Sequence, residues 1–189
     1  DFNGTATFQY RAVDPSGAPS AVATVTITVL AVNDPPVVVS PINVTTAEDT
    51  PVDIVLPASD VDGNLLTSRT IVAPTTRGGI AALANGSARY TPNLNVSGTD
   101  TFTWRATDSL GLTSTVGVVN LTITPVNDAP TVNAGTFTVV EDTPTQLTLT
   151  TADVDGDAVT VEVAGRPLHG TAVAAGTRVL YTPDQDYAG

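Results

Sequence analysis

The sequence contains no cysteine and no lysine, and it has a single tryptophan and a single histidine. Without cysteine the chain can form neither a disulfide nor a thiolate metal site, so its stability must come from burial or from a bound metal. Without lysine it can form no Lys–Asn isopeptide crosslink, and it has no lysine to act as a catalytic base. These absences remove several ways in which exported proteins are stabilised.

Charge is also scarce, and what there is has mostly one sign. Only 14% of the residues are charged, with 7 arginines against 19 acidic residues and a formal net charge of −12. Phosphate recognition depends on clusters of basic residues, so this balance argues against a nucleic acid partner and against anionic membrane surfaces. No apolar run is long enough to span a bilayer, so we expect no membrane insertion. The negative net charge instead favours the binding of divalent cations.

The abundant residue types favour strands. Threonine occurs 33 times, while 15 glycines and 14 prolines interrupt the chain at short intervals. Thr and Val prefer strands, Gly and Pro mark turns, and no segment shows a sustained apolar period of 3.6 residues. The composition therefore predicts an all-β fold.

An internal repeat organises the chain. AEDTPVDIVLPASDVDGN at 47–64 matches VEDTPTQLTLTTADVDGD at 140–157, and YRAVDPSG at 10–17 matches WRATDSLG at 104–111, with offsets of 93 and 94 residues. A period near 93 residues is the size of one β-sandwich module. We therefore predict tandem antiparallel β-sandwiches.

The repeat frame divides the chain into three parts. Residues 1–34 correspond to the last strands of a first, incomplete repeat, 35–127 to a complete repeat, and 128–189 to the first part of a third. Three interpretations stay open. The chain is a window from a longer tandem array, or its incomplete ends complement each other head-to-tail between chains, or they fold back onto each other within one chain.

Seven strands are predicted in the complete repeat. Leu121 and Ile123 alternate with Thr122 and Thr124, which indicates one buried and one solvated face. Trp104 and Tyr10 occupy equivalent strand positions, beside Phe102 and Phe8 respectively. We expect one of each pair to anchor a core. The predicted strands are 37–46, 52–57, 65–72, 79–84, 87–91, 100–107 and 113–124.

Acidic residues recur at predicted strand ends, where the loops of one module meet the linker to the next. In a linear stack this places one set of oxygen-bearing side chains at each junction. The first set is Asn33, Asp34, Asp60, Asp62 and Asp108. The second is Glu48, Asn127, Asp128, Asp153 and Asp155. Glu141 and Asp14 are the repeat equivalents of Glu48 and Asp108.

The pattern predicts calcium at these junctions. Asp60 and Asp62 are two apart in an extended segment, so their carboxylates point to the same side, and Gly63 permits a sharp turn. Ca²⁺ takes six to eight oxygen ligands of this kind. Without a cation, so many carboxylates would repel one another. The alternative is that each aspartate only forms a local turn.

These motifs carry a family resemblance. AEDTPVDIVLPASDVDG, RATDSLG and VNDAP resemble the bacterial cadherin-like repeats of large surface and secreted proteins. The resemblance implies a Greek-key sandwich array that is stiffened by Ca²⁺ between domains and serves adhesion or cell-surface architecture. The sequence departs from cadherins at 92–100, where PNLNVSGTD replaces an Asp-Arg-Glu element. One or two ions per junction are therefore expected rather than three.

Nothing in the sequence indicates an enzyme. His169 precedes a glycine in a predicted turn, and the complete repeat has no histidine at the equivalent position. There is no Ser/His/Asp arrangement and no phosphate-binding glycine loop. Paired carboxylates that recur with every module suit a structural role better than an active site.

The sequence thus predicts a non-catalytic structural or adhesive segment of an exported, extracellular bacterial protein. Expected partners are neighbouring repeats of the same or identical chains, and a cell-surface protein or glycan as ligand. The alternative function is a carbohydrate-binding or spacer module of a large secreted enzyme, which an exposed aromatic strip would favour.

Overall fold

The computed structural model describes residues 2–188, and all regular elements in that range are β-strands. The all-β prediction is confirmed. No helix among these residues could cross a membrane. The chain divides into two compact units, the first ending at Thr124 and the second beginning at Pro125. The three-part division predicted from the repeat stays a prediction, and its outer limits, residues 1 and 189, lie outside the described residues.

The first unit begins with an antiparallel hairpin of β1 (Gly4–Tyr10) and β2 (Ala23–Val29). Phe8 lies opposite Val25 and Ala6 opposite Ile27, so the apolar residues of both strands share one face and the threonines share the other. This follows from the strict alternation of apolar residues and threonine along β2.

The complete repeat follows as a sandwich of two layers. One layer is a four-stranded sheet in the order β4-β11-β10-β7, and the other contains β5-β9-β8 with the short pair β3-β6. The arrangement is a two-layer β-sandwich, as the repeat length predicted, and of the Greek-key type that the family resemblance implied. Its strands are β3 (Val37–Val38), β4 (Ile42–Ala47), β5 (Val52–Val55), β6 (Ala58–Ser59), β7 (Leu66–Ala73), β8 (Gly78–Ala82), β9 (Ser87–Pro92), β10 (Gly98–Asp108) and β11 (Gly117–Thr124).

Two predicted strands differ from the observed ones. The segment 37–46 is not one strand, because β3 pairs with β6 while β4 pairs with β11 in the other layer. Pro41 lies at the break and has no N–H to continue a ladder. The predicted strand 113–124 begins only at Gly117. The β4–β11 pair is parallel, whereas the prediction had only antiparallel pairs.

The core lies between the two layers of this repeat. Phe102, Trp104 and Ala106 of β10 are fully buried and alternate with less buried residues, as a period of two requires. Phe102 and Trp104 are therefore both core residues, whereas the prediction had only one of them in the core. Each fully buried large apolar side chain contributes about 1.5–3 kcal/mol. The other buried apolar residues are Ile54, Leu56, Ala88, Tyr90, Val119, Leu121 and Ile123.

The second unit repeats only part of this architecture. A three-stranded sheet in the order β13-β16-β15 corresponds to β5-β9-β8, and β12 pairs with β14 as β3 pairs with β6. The equivalents of β4 and β7, residues 135–140 and 159–166, form no strand. The strands are β12 (Thr131–Val132), β13 (Thr145–Thr148), β14 (Thr151–Ala152), β15 (Gly170–Ala175) and β16 (Arg178–Pro183).

Candidate functional site

The Asp-x-Asp-Gly stretch of the complete repeat forms a tight turn after β6. The Oδ1 atom of Asp60 accepts hydrogen bonds from the backbone N–H of Asp62 at 2.9 Å and of Asn64 at 3.4 Å. Gly63 has a φ of 76°, a left-handed conformation that favours glycine. The first aspartate therefore shapes the turn, which leaves the second free to reach outward.

The turn is fastened to the linker that precedes the repeat. Oδ2 of Asp62 accepts the backbone N–H of Asp34 at 2.7 Å. The side-chain amide of Asn64 donates to Oδ1 of Asn33, and the amide of Asn33 donates to Oδ2 of Asp108 at 2.7 Å. The structure thus brings together all five residues predicted for the first junction. We call Asn33, Asp34, Asp60, Asp62, Asn64 and Asp108 the linker cluster.

Asp108, at the end of β10, serves two purposes. Its Oδ1 atom accepts the backbone N–H groups of Leu110 at 2.9 Å and Leu112 at 2.8 Å, which closes the loop after the strand. Its Oδ2 atom holds the amide of Asn33. The hydrogen bond from Asn33, followed by the loop N–H groups, lowers the pKa of this carboxyl despite its burial.

Asp14 shows the loop-closing role on its own. In the hairpin loop its Oδ1 atom accepts the hydroxyl of Ser16 at 2.7 Å and the backbone N–H groups of Ser16 at 2.9 Å and Ala18 at 2.8 Å. These bonds, the Ser16 hydroxyl first, lower its pKa. The turn-forming alternative considered for each aspartate thus describes part of what Asp14 and Asp108 do.

The second unit reproduces the fastening of turn to linker. Oδ1 of Asp153 accepts the N–H of Asp155 at 3.0 Å and of Asp157 at 3.2 Å, and Gly156 again has a positive φ of 82°. Oδ2 of Asp155 accepts the N–H of Asp128 at 2.7 Å. The amide of Asn127 donates to the carbonyl of Asp128 at 3.0 Å, a local bond.

The two glutamates have different surroundings. Glu48 follows β4, its N–H donates to the carbonyl of Thr124 at 2.9 Å, and its side chain is buried. Because β4 runs parallel to β11 and β11 antiparallel to β10, Glu48 and Asp108 lie at opposite ends of the repeat. Glu141 is exposed. The grouping of Glu48 with the second junction stays a prediction.

The donor atoms of the linker cluster suit a hard cation. Oδ2 of Asp60 is buried and has no hydrogen-bond partner among residues 2–188. A cleft of about 250 Å³ borders Asp34 and Asp62, and carboxylate and amide oxygens are the ligands that Ca²⁺ prefers. In the same range, however, no three Asp, Glu or His side chains are grouped as metal ligands. The metal-ligand assignment of the twelve residues therefore stays a prediction.

Two polar residues outside the predicted set, Asn64 and Asp100, also make several hydrogen bonds. Asn64 joins the linker cluster, and its signal is the polar residue that follows Asp-Val-Asp-Gly in both repeats. Asp100 is buried and accepts the N–H groups of Thr76, Arg77 and Thr101 and the hydroxyl of Tyr90 at 2.8–3.2 Å. Burial opposes ionisation of Asp100, but these donors prevail and its pKa is lowered. Burial and the Asp100 carboxylate raise the pKa of Tyr90.

Comparison with known proteins matches both units. Residues 33–125 match the model of the bacterial cadherin-like domain, and residues 127–189 match that of the bacterial Ig domain. Domains of these kinds are typically non-catalytic and occur in surface or secreted proteins. Integrin beta-like protein B of Dictyostelium discoideum is 30% identical over 79 residues, which cover 41% of this chain and 4% of that protein.

The solved structures that resemble this chain do so at low identity and low TM-score. Fibronectin(III)-like modules of Clostridium thermocellum CbhA are 20% identical with a TM-score of 0.36, covering 65% of this chain and 64% of theirs. Drosophila N-cadherin EC1-3 is 10% identical with a TM-score of 0.40, covering 99% of this chain and 79% of its own. At such distances, function has to be argued from the residues of this chain.

Proposed function

Because the chain belongs to the bacterial cadherin-like and bacterial Ig-domain families, we propose that it is a non-catalytic structural and adhesive segment of an extracellular bacterial protein, stiffened by Ca²⁺ where its modules meet. Domains of these families serve as adhesive or structural modules.

The observation that carries the proposal is the linker cluster itself. Three separate segments, namely the linker, the turn after β6 and the loop after β10, are joined through hydrogen bonds of Asn33, Asp62 and Asp108. The Asp34–Asp62 bond recurs as Asp128–Asp155 in the second unit. A connection that fixes a linker to its module in both units supports a role in setting the angle between modules.

Charge is the reason to place calcium there. The linker cluster contains four aspartates, Asp34, Asp60, Asp62 and Asp108, and no lysine or arginine is among its members. Carboxylates in one region repel one another, and a bound cation would remove that repulsion. Asp34, Asp60 and Asp62 would hold the Ca²⁺, which would supply positive charge there, while Asn33 and Asn64 keep the linker and the turn in place.

The test is thermal unfolding and small-angle scattering in excess EGTA and in millimolar Ca²⁺. Trp104, the single tryptophan, is buried in the repeat and reports its unfolding by fluorescence. We expect Ca²⁺ to raise the melting temperature and to give a longer, stiffer particle. No response of either quantity would remove calcium from the proposal and leave a metal-free spacer.

A charge-neutral variant locates the effect. Asp60→Asn with Asp62→Asn keeps the acceptor oxygens of the turn but removes two charges, so the response to Ca²⁺ should disappear while the melting temperature in EGTA should not fall, because repulsion is relieved. Asp53→Asn is the matched control. Asp53 is exposed on β5, forms an ion pair of 2.7 Å with Arg89 and is not a member of the linker cluster. Its response to Ca²⁺ should stay intact.

The carbohydrate-binding alternative gains little from the exposed aromatic rings. Phe8 and Tyr10 are exposed on the hairpin with ring centroids 6.5 Å apart and planes tilted by 49°. Their equivalents in the complete repeat, Phe102 and Trp104, are buried core residues. The two rings are therefore more simply explained as core residues of a sandwich than as a platform for a sugar.

A further inference from the structure

The complete repeat has an open sheet edge at β8. In the sheet β5-β9-β8 this strand pairs with β9 on one side, and among residues 2–188 no strand pairs with its other side. Gly79, Ala81 and Ala82 are exposed, and Ile80 is half-buried. A free strand edge carries a row of backbone donors and acceptors with which a further strand can pair.

Hydrogen bonds at the two ends of β8 show which of its backbone groups face β9. The N–H of Leu83 donates to the carbonyl of Ser87 at 2.8 Å, and the carbonyl of Arg77 accepts the N–H of Asn93 at 2.8 Å. Residues in an antiparallel ladder alternate between hydrogen-bonded and non-hydrogen-bonded pairs. Every second residue between Arg77 and Leu83 therefore also bonds to β9.

The remaining residues of β8 direct their backbone groups to the open edge. These are Gly78, Ile80 and Ala82. Among residues 2–188, only the hydroxyl of Thr75 reaches one of these groups, the carbonyl of Gly78 at 2.6 Å. A carbonyl oxygen accepts two hydrogen bonds, so each of the three residues still offers an N–H and a carbonyl to a neighbouring strand.

The β8 edge also lacks the charges that keep strand edges apart. No acidic residue occurs between Asp62 and Asp100, and no charged residue occurs between Arg77 and Arg89. By contrast β5, at the other edge of the same sheet, carries Asp53 and has a proline on either side. Charges and prolines prevent an edge from pairing with another chain. In a chain with a net charge of −12, a second copy can therefore approach β8 without meeting carboxylates on this strand.

We propose that two copies of this chain associate through β8, with the two strands antiparallel and Ile80 opposite Ile80 of the second copy. This register is self-complementary, because Gly78 of each copy then lies opposite Ala82 of the other. All three pairs are hydrogen-bonded by the outward groups. The two three-stranded sheets become one sheet of six strands.

The side chains of β8 are compatible with this pairing. Ile80 packs against the core of its own repeat, so the two Ile80 side chains lie next to each other and extend the apolar interior across the junction. On the opposite face Gly79 lies beside Ala81 of the second copy, and both residues are small. The same surface is used on both copies, so the contact closes as a dimer. It lies outside the linker cluster and requires no cation.

Light scattering and sedimentation of the 189-residue chain in EGTA test this association independently of the calcium proposal. The mean mass should rise with concentration from that of one chain towards that of two. Ala82→Pro removes an outward N–H and no hydrogen bond to β9, so this variant should stay monomeric. Ala82→Ser keeps the N–H and should still associate, and Trp104 fluorescence checks that both variants are folded. A wild-type chain that is monomeric at every concentration would overturn the proposal, as would a folded Ala82→Pro chain that associates like the wild type.

Disulfide trapping tests the register. Gly79 and Ala81 of the second copy would form a non-hydrogen-bonded pair with Cα atoms about 4.5 Å apart, which is within the range of a disulfide. A Cβ added to Gly79 meets nothing within 4 Å, Ala81 is exposed, and the chain has no cysteine of its own.

Chains with Gly79→Cys and chains with Ala81→Cys are therefore mixed in equal amounts and oxidised. Mass spectrometry should find disulfide dimers that contain one chain of each variant and very few that contain two chains of the same variant. Each variant oxidised alone is the control and should crosslink far more slowly. A random mixture, in which like pairs are as frequent as unlike pairs, would overturn the proposed pairing, because only a defined strand register discriminates between these positions.

Discussion

The side-chain amide of Asn33 donates a 2.7 Å hydrogen bond to the buried carboxylate of Asp108, 75 residues further along the chain. The same carboxylate closes its own loop through Leu110 and Leu112. One residue therefore couples the fold of the repeat to the position of the linker before it. Substitution of Asp108 should therefore affect both the stability of the repeat and the position of the linker, whereas substitution of Asn33 should affect only the linker.

The first prediction separates these two effects. Asn33→Ala should lower the melting temperature of the repeat slightly but greatly increase hydrogen exchange at the Asp34 N–H, because the linker loses one of its attachments. Asp108→Ala should lower the melting temperature by several degrees, since the loop N–H groups lose their acceptor as well. Trp104 fluorescence and amide exchange measure the two quantities. Equal melting temperatures for both variants would contradict the dual role of Asp108.

The second prediction concerns pH. The pKa values of Asp100 and Asp108 are lowered in the folded repeat, so near pH 4 the unfolded chain binds more protons than the folded one. Stability from these groups is complete above the unfolded pKa of about 3.9 and is lost as the pH falls through the lower folded values. Urea unfolding at a series of pH values should therefore show a steep loss of the free energy of unfolding below about pH 4.

A variant tests the part due to Asp100. Asp100→Asn turns an amide toward several donors, which should cost about 1–3 kcal/mol at pH 7 and flatten the acid dependence. Tyr90→Phe removes one donor to Asp100 and leaves the backbone donors, so its acid dependence should fall between those of the wild type and Asp100→Asn. If the free energy of unfolding of Asp100→Asn falls with decreasing pH as steeply as that of the wild type, other groups are responsible for the acid dependence.

Much of the fold could be predicted because the complete repeat obeys simple alternation. In β10 and β11 the apolar residues at every second position are those that the structure buries. The split of 37–46 could not be read from hydrophobicity, because both halves are apolar, although Pro41 marks the break. The burial of Phe102 and Trp104 depends on a sheet formed by other segments of the repeat, and local sequence does not encode it.

The candidate site was predictable as a set but not as a mechanism. The spacing of Asn33, Asp62 and Asp108 indicated that they would meet, and the structure joins them. What the spacing did not show is that backbone N–H groups occupy one oxygen of Asp60 and of Asp108. Such bonds depend on loop conformation, and the buried Asp100 was missed for the same reason.

The third prediction compares two adjacent glycines of β8. A Cβ added to Gly78 would lie 2.4 Å from the carbonyl oxygen of Thr91 and 2.8 Å from the ring of Tyr90, whereas one added to Gly79 meets nothing within 4 Å. Gly78→Ala should therefore destabilise the repeat by about 1–3 kcal/mol. Gly79→Ala is the control and should change the free energy of unfolding little. Urea unfolding followed by Trp104 fluorescence compares them, and equal effects would contradict the packing at Gly78.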